Sequence, residues 1–275
     1  MKTTVYITAY NYGKFIEKAI QSVLKQSTDD WELIIINDGS TDNTCDILKR
    51  YETHPKVRVV EQENKGLSVS NNIALRISNG EYLMRLDADD YLDENALLVL
   101  SNILDTKPEI GLVYPDYYLV DEHGEILETV RRKKIGEEAG LLDLPAHGAC
   151  TMIRKECLLE IGGYDEAFSC QDGYGLWIQF LESFKPYNVN IPLFYYRQHS
   201  DNMTKNKDKI LKTRQRINRN FVERFRKYDV PRVVAVVPVI KRPRGVPDEA
   251  FTDFNGNPLI WHTLNEVSGS GLIDR

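Results

Sequence analysis

No apolar run in the chain approaches the roughly 20 residues a helix needs to cross a bilayer, so a transmembrane-helix protein is excluded as a reading of these residues. Positive charge is in deficit: 35 Lys and Arg stand against 41 Asp and Glu, a net charge of −6. Nucleic-acid binders carry a basic footprint, so no nucleic-acid partner is expected. Cysteine is scarce. Cys45, Cys150, Cys157 and Cys170 show no Cys-x-x-Cys spacing, which argues against a zinc framework or a disulfide scaffold and fits a reducing, cytoplasmic setting. The opening residues, MKTTVYITAY, lack the apolar stretch of a secretory leader and read as a first strand.

What is present is an alternation of strand and helix signals. Val5 to Tyr10 reads as a strand, turned by Asn11, Tyr12 and Gly13. Phe15, Ile16, Ala19, Ile20, Val23 and Leu24 then recur at helical spacing. ELIIIN, Glu32 to Asn37, is the near-continuous apolar run of a strand buried on both faces of a parallel sheet. A helix over 44–51, a strand over 57–61, the loop Asn64-Lys65-Gly66, a helix over 68–77 and a strand into Asp87 complete the pattern. Short turns join these elements, which predicts a parallel-sheet α/β fold.

The remainder is mixed. We expect a strand over 112–120, a turn at His123-Gly124, a hairpin partner over 126–131, and a polar loop over 136–144 with the composition of a mobile segment. Helices over 151–161 and 172–183 and a strand over 191–197 follow. Such a division suggests that one half binds a nucleotide and the other the partner substrate. From Lys205 to Lys227 ten residues are basic and two acidic, with Ile210, Ile217, Phe221 and Phe225 able to share a helix face. That composition fits an anionic membrane surface; a helix packed on its own domain with a solvated basic face is the preferred reading. Val233 onward restarts with VVAVVP, a Pro- and Gly-bearing loop and a helical stretch over 259–267. The expected division is therefore a domain over 1–204, a basic helical linker over 205–230 and a partial β-loop-α unit over 231–275. The last is too short to bury a core alone, and is expected to be truncated, docked or completed by another chain.

The residues with chemical potential sit after the strands. Tyr82 to Asp90 reads YLMRLDADD: an apolar strand ending at Asp87 and Asp89, with only Ala88 between them, and then Asp90. Carboxylates so close repel unless a cation joins them, and a hard divalent ion completed by water and substrate phosphates would suit. The alternative is a polar turn in which Asp90 or Asp93 caps a helix. The first loop offers Thr8, Tyr10 and Asn11, where Tyr10 either stacks on a planar ring or packs. The second offers Asp38, an acceptor for a base N–H or a cap, and the third offers Lys65. A stacking aromatic, an acceptor carboxylate, a cation and Asp-x-Asp together describe a nucleotide-sugar site.

TAYNYGKFIEKAIQSVLKQSTDDWELIIINDGSTDNT, then NKGLSVSNN, then RLDADD, resembles in order the inverting family-two glycosyltransferases of the GT-A fold, over about Met1 to Arg226. The resemblance implies a Rossmann-like α/β fold with a mostly parallel central sheet. It also implies that Tyr10 and Asp38 hold the nucleobase with Thr8 beside them, and that Asp87 contacts the ribose. Asn11, Lys65 and Ala88 line the donor pocket, and Asp89 ligates Mn²⁺ or Mg²⁺ on the diphosphate. The family's catalytic base is matched by Asp172 in SCQDGYGLWIQF, with Gln171 where Glu is more usual. An acceptor hydroxyl needs such a carboxylate to remove its proton. Gly162-Gly163-Tyr164-Asp165 resembles the family's acceptor-side segment. His199 in YYRQHSDNMT matches a residue near the metal and diphosphate, or else is structural. Two departures stand out: Ser70-Asn71-Asn72 replaces the usual Ala-Arg-Asn, which bears on donor preference, and the Gln-x-x-Arg-Trp signature of processive synthases is absent.

Val236 to Ile260 resembles the opening of sugar-acid (CMP-sugar) cytidylyltransferases, keeping Pro238, Gly245, Pro247, Phe254, Gly256, Pro258 and Leu259. Lys241 and Arg242 stand where that family has the paired glycines of its phosphate loop, so nucleotidyl transfer is not expected. The leading expectation is single-sugar transfer from a nucleoside-diphosphate sugar, UDP-linked rather than dTDP- or GDP-linked, to a glycan or lipid-linked acceptor of the cell surface. It would act in the cytoplasm or peripherally at the inner face of the membrane, and a homo-oligomer is compatible. A nucleotidyltransferase and a non-catalytic nucleotide-sugar binding module are the alternatives.

Overall fold

Successive residues of the central strands supply two different cores. In the first strand Val5, Ile7 and Ala9 join one apolar cluster and Tyr6 the other; in the second, Leu33 and Ile35 face one way and Ile34 and Ile36 the other. Alternation of side chains across a pleated strand demands this when both faces are covered by helices. The computed structural model describes residues 1–135, 138, 148–168, 172–200 and 207–226, with two short strands at Asp253–Phe254 and Asn257–Pro258. It divides into two compact units, Met1–Arg214 and Gln215–Arg275.

In the first unit, β1 (Thr3–Ala9), β2 (Trp31–Asn37), β3 (Val57–Glu61) and β4 (Tyr82–Asp87) alternate with α1 (Ile16–Leu24), α2 (Thr44–Lys49) and α3 (Leu67–Ile77). These four strands are parallel, in the order β3-β2-β1-β4. β5 (Tyr91–Leu92), α4 (Ala96–Thr106), β6 (Ile110–Val120), β7 (Ile126–Val130), β8 (Met152–Arg154), α5 (Lys155–Glu160), α6 (Asp172–Phe180) and β9 (Lys185–Arg197) follow, and the sheet continues β4-β8-β6-β9-β5 with β7 on β6. The α/β class, the parallel first half and the mixed second half agree with the expectation. α1 buries Ile16, Ala19, Ile20 and Val23 along one stripe, each large apolar side chain contributing about 1.5–3 kcal/mol.

β5 and α4 have no range in the sequence reading, and two elements that have one differ from it. The stretch 151–161 is not one helix. Met152–Arg154 is β8, antiparallel to both β4 and β6, and the helix begins only at Lys155. Met152 and Ile153 go to opposite cores, and this strand welds the parallel half to the mixed half. β9 starts at Lys185 rather than at 191, because Pro186, Pro192 and the left-handed Asn190 (φ 47°) hide a strand that pairs with β6 across register shifts. The basic stretch forms α7 (Lys207–Arg226). In the second unit β10 (Asp253–Phe254) pairs antiparallel with β11 (Asn257–Pro258). The VVAVVP strand, the 259–267 helix and nearly all of the 136–144 loop lie outside the described residues, and with them most of the cytidylyltransferase-like segment.

Candidate functional site

Parallel pairing brings the ends of four strands to one edge. Thr8 is in register with Ile36 on one side and Asp87 on the other, Ala9 with Asn37, and Asn37 with Glu61. The chain leaves the sheet there through the loops that carry the predicted residues, and in open α/β sheets that edge is where ligands bind.

The first two loops are joined to each other. Asn11 takes the left-handed conformation (φ 61°), and its Oδ1 accepts from the backbone N–H of Thr41 at 2.7 Å. The Asn11 N–H donates to Ser40 Oγ at 3.0 Å, and Gly13 N–H donates to Asp42 Oδ2 at 2.9 Å. Burial acts to raise the Asp42 pKa, but hydrogen bonds from Thr44 and Gly13 outweigh it and hold the carboxyl below its ordinary range. Asn11 is thus committed to loop architecture, while Tyr10 beside it is exposed, with its ring available to a planar ligand.

Asp38 organises the third loop. Its Oδ1 accepts from Lys65 N–H at 2.8 Å and Gln62 Nε2 at 2.5 Å, and its Oδ2 from Gly66 N–H at 2.9 Å. A carboxylate has about four acceptor positions, so one remains for a ligand N–H. Lys65 meets Asp38 through its backbone, and its side chain is exposed.

The aspartates after β4 have separate environments. Asp87 is half-buried and pairs with Arg85, Nε to Oδ1 2.8 Å. Ala88 is buried in the core. Asp89 Oδ2 lies 2.9 Å from His199 Nε2, both side chains nearly enclosed, and the imidazole packs 4.8 Å from the Phe15 ring. Asp90 Oδ1 accepts from Arg197 N–H at 2.9 Å, while Asp90 Oδ2 is buried with no partner among the described residues. Burial first, then the charges of Asp89 and Asp87, push the Asp90 carboxyl well above its usual range. The same causes raise the Tyr12 phenol. The helix-side polar turn is made by Asp93, whose Oδ1 accepts from Asn95 N–H at 2.9 Å.

This corner is therefore short of positive charge. Asp89 beside the His199 imidazole is a two-residue donor pair of the kind that binds Mn²⁺ or Mg²⁺. Among the described residues no group of three or more His, Cys, Asp or Glu is arranged to hold a metal ion, so water and substrate oxygens would complete the shell. Asp172 opens α6; its side chain, like Gln171, lies outside the described residues.

Three residues were missed in the sequence. Arg85 is buried within β4 against Asp87, and Gly148 leaves room for its guanidinium: a Cβ there would lie 2.9 Å from Nη2. Arg197 pins the aspartate turn, its Nε donating to Asp89 O at 2.8 Å and its Nη1 to Glu122 O at 2.7 Å. A buried strand arginine demands partners, which was the available signal for both. Asn72 links α3 to the Gly-Gly-Tyr-Asp turn: Nδ2 donates to Tyr164 O and Glu166 Oε1, both at 2.8 Å, and Oδ1 accepts from Tyr164 N–H at 2.9 Å. In the departing triplet Ser70 also serves structure, its Oγ accepting from Gln62 Nε2 at 2.9 Å.

Residues 4–162 match the family described as Glycosyl transferase family 2. A chondroitin synthase from Escherichia coli is 35% identical over 127 residues, 46% of this chain and 18% of that protein; the chain thus spans about a fifth of that relative's length. Among solved structures, S. aureus TarS (residues 1–349, in complex with UDP-GlcNAc) superposes with a TM-score of 0.64 at 20% identity, covering 75% of this chain and 61% of that one. The mannosyltransferase PcManGT from Pyrobaculum calidifontis, in complex with GDP-Man and Mn²⁺, gives a TM-score of 0.56 at 19% identity, covering 82% and 64%. At those identities the likeness speaks to the fold.

Proposed function

The chain belongs to glycosyl transferase family 2, and from that premise we propose that it moves one sugar from a nucleoside-diphosphate sugar to an acceptor hydroxyl, with inversion, in the synthesis of a surface glycan or glycolipid. The observation that carries this reading is the strand-end corner: Asp89 and His199 2.9 Å apart, beside Asp87, Asp38 and the exposed ring of Tyr10.

Each residue has a task in this scheme. Tyr10 stacks on the base, and the remaining acceptor position of Asp38 takes a base N–H, with Thr8 alongside. Asp87, oriented by Arg85, accepts from the ribose hydroxyls. Asp89 and His199 would hold Mn²⁺ or Mg²⁺, which when bound offsets charge on the leaving diphosphate. Asp172, at the start of α6, removes the proton from the acceptor hydroxyl as its oxygen attacks the anomeric carbon opposite the diphosphate, so configuration inverts. Neighbours of this fold were solved with UDP-GlcNAc and with GDP-Man and Mn²⁺, which favours a nucleotide-sugar donor; we take UDP as its nucleotide. The reading includes cytoplasmic action, with the basic face of α7 available to an anionic bilayer, and residues 231–275 as an accessory segment without nucleotidyl transfer.

The test is sugar transfer from a panel of nucleotide sugars with Mn²⁺, with the product's anomeric configuration read by NMR. Asp89→Ala and Asp172→Asn should each lower kcat by about 100-fold or more. Full activity in both variants, or retained configuration, overturns the mechanism.

A further inference from the structure

Between the sheet and α6 the first unit holds a buried cation whose guanidinium makes no ion pair among the described residues, although the charge of Asp116 acts on it. Arg132, just after β7, is 4% exposed. Its backbone is fixed from two sides: the N–H donates to Asp116 Oδ1 at 2.8 Å and the carbonyl accepts from Asn190 Nδ2 at 3.3 Å. The guanidinium lies over the Tyr114 ring, 4.5 Å from its centroid, and 6.0 Å from that of Trp177. The two rings meet edge to face at 5.1 Å. Arg132 Nε and Nη1 and the Trp177 indole Nε1 are all buried without a hydrogen-bond partner. Three donor nitrogens are thus gathered beside aromatic rings with no acceptor among the described residues.

Such donors are costly to leave unmade, and a desolvated charge more so. The guanidinium fork matches the paired oxygens of a carboxylate or phosphate, and the buried rings of Tyr114 and Trp177 give it a low-dielectric setting in which such a pairing is strong. The placement is specific. Trp177 belongs to α6, the helix that Asp172 opens. Burial depresses the Arg132 pKa, with Cys150 among the neighbouring groups, and Cys150 N–H donates to Arg85 O at 2.8 Å in the strand that ends at Asp87. Arg132 is therefore carried by the mixed half of the sheet and lies against Trp177 of α6, not on the loops after β1 to β4.

We propose that Arg132, with the Trp177 indole N–H, recognises an anionic substituent, a carboxylate or a phosphate, on the acceptor saccharide. This rests on reading the chain as a glycosyltransferase. Two acceptor pairs test it with the full chain: a hexuronate-terminated oligosaccharide and its carboxyl-reduced form, and a glycerol-phosphate-bearing oligosaccharide and its dephosphorylated form. In Arg132→Met the KM for the charged member of one pair should rise roughly 10- to 100-fold, while the KM for its neutral partner and for the donor stays unchanged. Arg132→Lys, which keeps the charge but not the fork, should fall between. The responding pair identifies carboxylate or phosphate. The thermal midpoint of Arg132→Met should hold or rise, because no ion pair is broken. Equal changes for charged and neutral acceptors, a change in donor KM instead, or a lowered midpoint without acceptor discrimination overturns the inference. Calorimetric binding of the same oligosaccharides to wild type and Arg132→Met decides it without turnover, so a failure of the transferase reading is seen separately.

Discussion

Arg197 shows how much of the site depends on one side chain. Its Nε, Nη1 and backbone N–H reach Asp89 O, Glu122 O and Asp90 Oδ1, joining the aspartate turn to the strand that delivers His199. Lysine has one charged nitrogen and cannot make the same fork. Arg197→Lys should therefore let the turn shift and lower kcat/KM by about 100-fold without unfolding the protein, as circular dichroism alongside kinetics would reveal. The positions of Asp38, Asp87 and Asp89 were legible because carboxylates ending apolar strands are conspicuous. Arg197 was not, because its partners lie 107 and 108 residues upstream and no local spacing links them. Asn72 keeps the last residue of the Ala-Arg-Asn triplet and has no task in the sequence reading; its contacts to Tyr164 and Glu166 show a structural one.

Elements reach their places through similarly distant contacts. α3 carries Gln62's partner Ser70 at one end and Asn72 in its middle, so the same helix braces the Asp38 loop and the Gly-Gly-Tyr-Asp turn. Asn72→Ala removes three hydrogen bonds that hold the Gly-Gly-Tyr-Asp turn to α3, a loss of about 1–3 kcal/mol measurable by urea unfolding. β8 was read as helix because three residues offer too short a pattern to display period two; only pairing with both β4 and β6 makes Met152–Arg154 a strand. Near the start of β4, Gly80 is there for space: a Cβ would lie 2.4 Å from Thr4 N in β1. Gly80→Ala should push these two central strands apart at a cost of about 1–3 kcal/mol, seen as a lower urea midpoint.

At the scale of the molecule, the two ends of the sheet do different work, and pH separates them. The carboxyl ends gather the carboxylates of the proposed donor site, whereas the amino ends are fastened by carboxylates that hold hydrogen bonds. Glu32 accepts from Thr4 Oγ1 at 2.6 Å, Asn79 N–H at 2.6 Å and Asn79 Nδ2 at 2.9 Å, binding β1, β2 and the approach to β4 together. Asp105 of α4 accepts from Lys2 Nζ and from Tyr82 Oη–H at 2.8 Å. For each, burial acts to raise the pKa, but these hydrogen bonds, with the Lys2 charge at Asp105, outweigh it and the net shift is downward. A depressed carboxylate pKa adds stability that is complete above the unfolded value, about 4, and is lost as pH falls through the folded value. These two carboxylates should therefore lower the thermal midpoint below about pH 4, whereas the raised Asp90 carboxyl acts in the opposite sense, adding stability as it takes up its proton. Glu32→Gln should flatten that fall and lower the neutral-pH stability by about 1 kcal/mol, a figure reduced for solvent screening. Both follow from midpoints recorded across the acid range. A midpoint in Glu32→Gln that tracks wild type at every pH would mean that the Glu32 hydrogen bonds do not hold the amino end of the sheet.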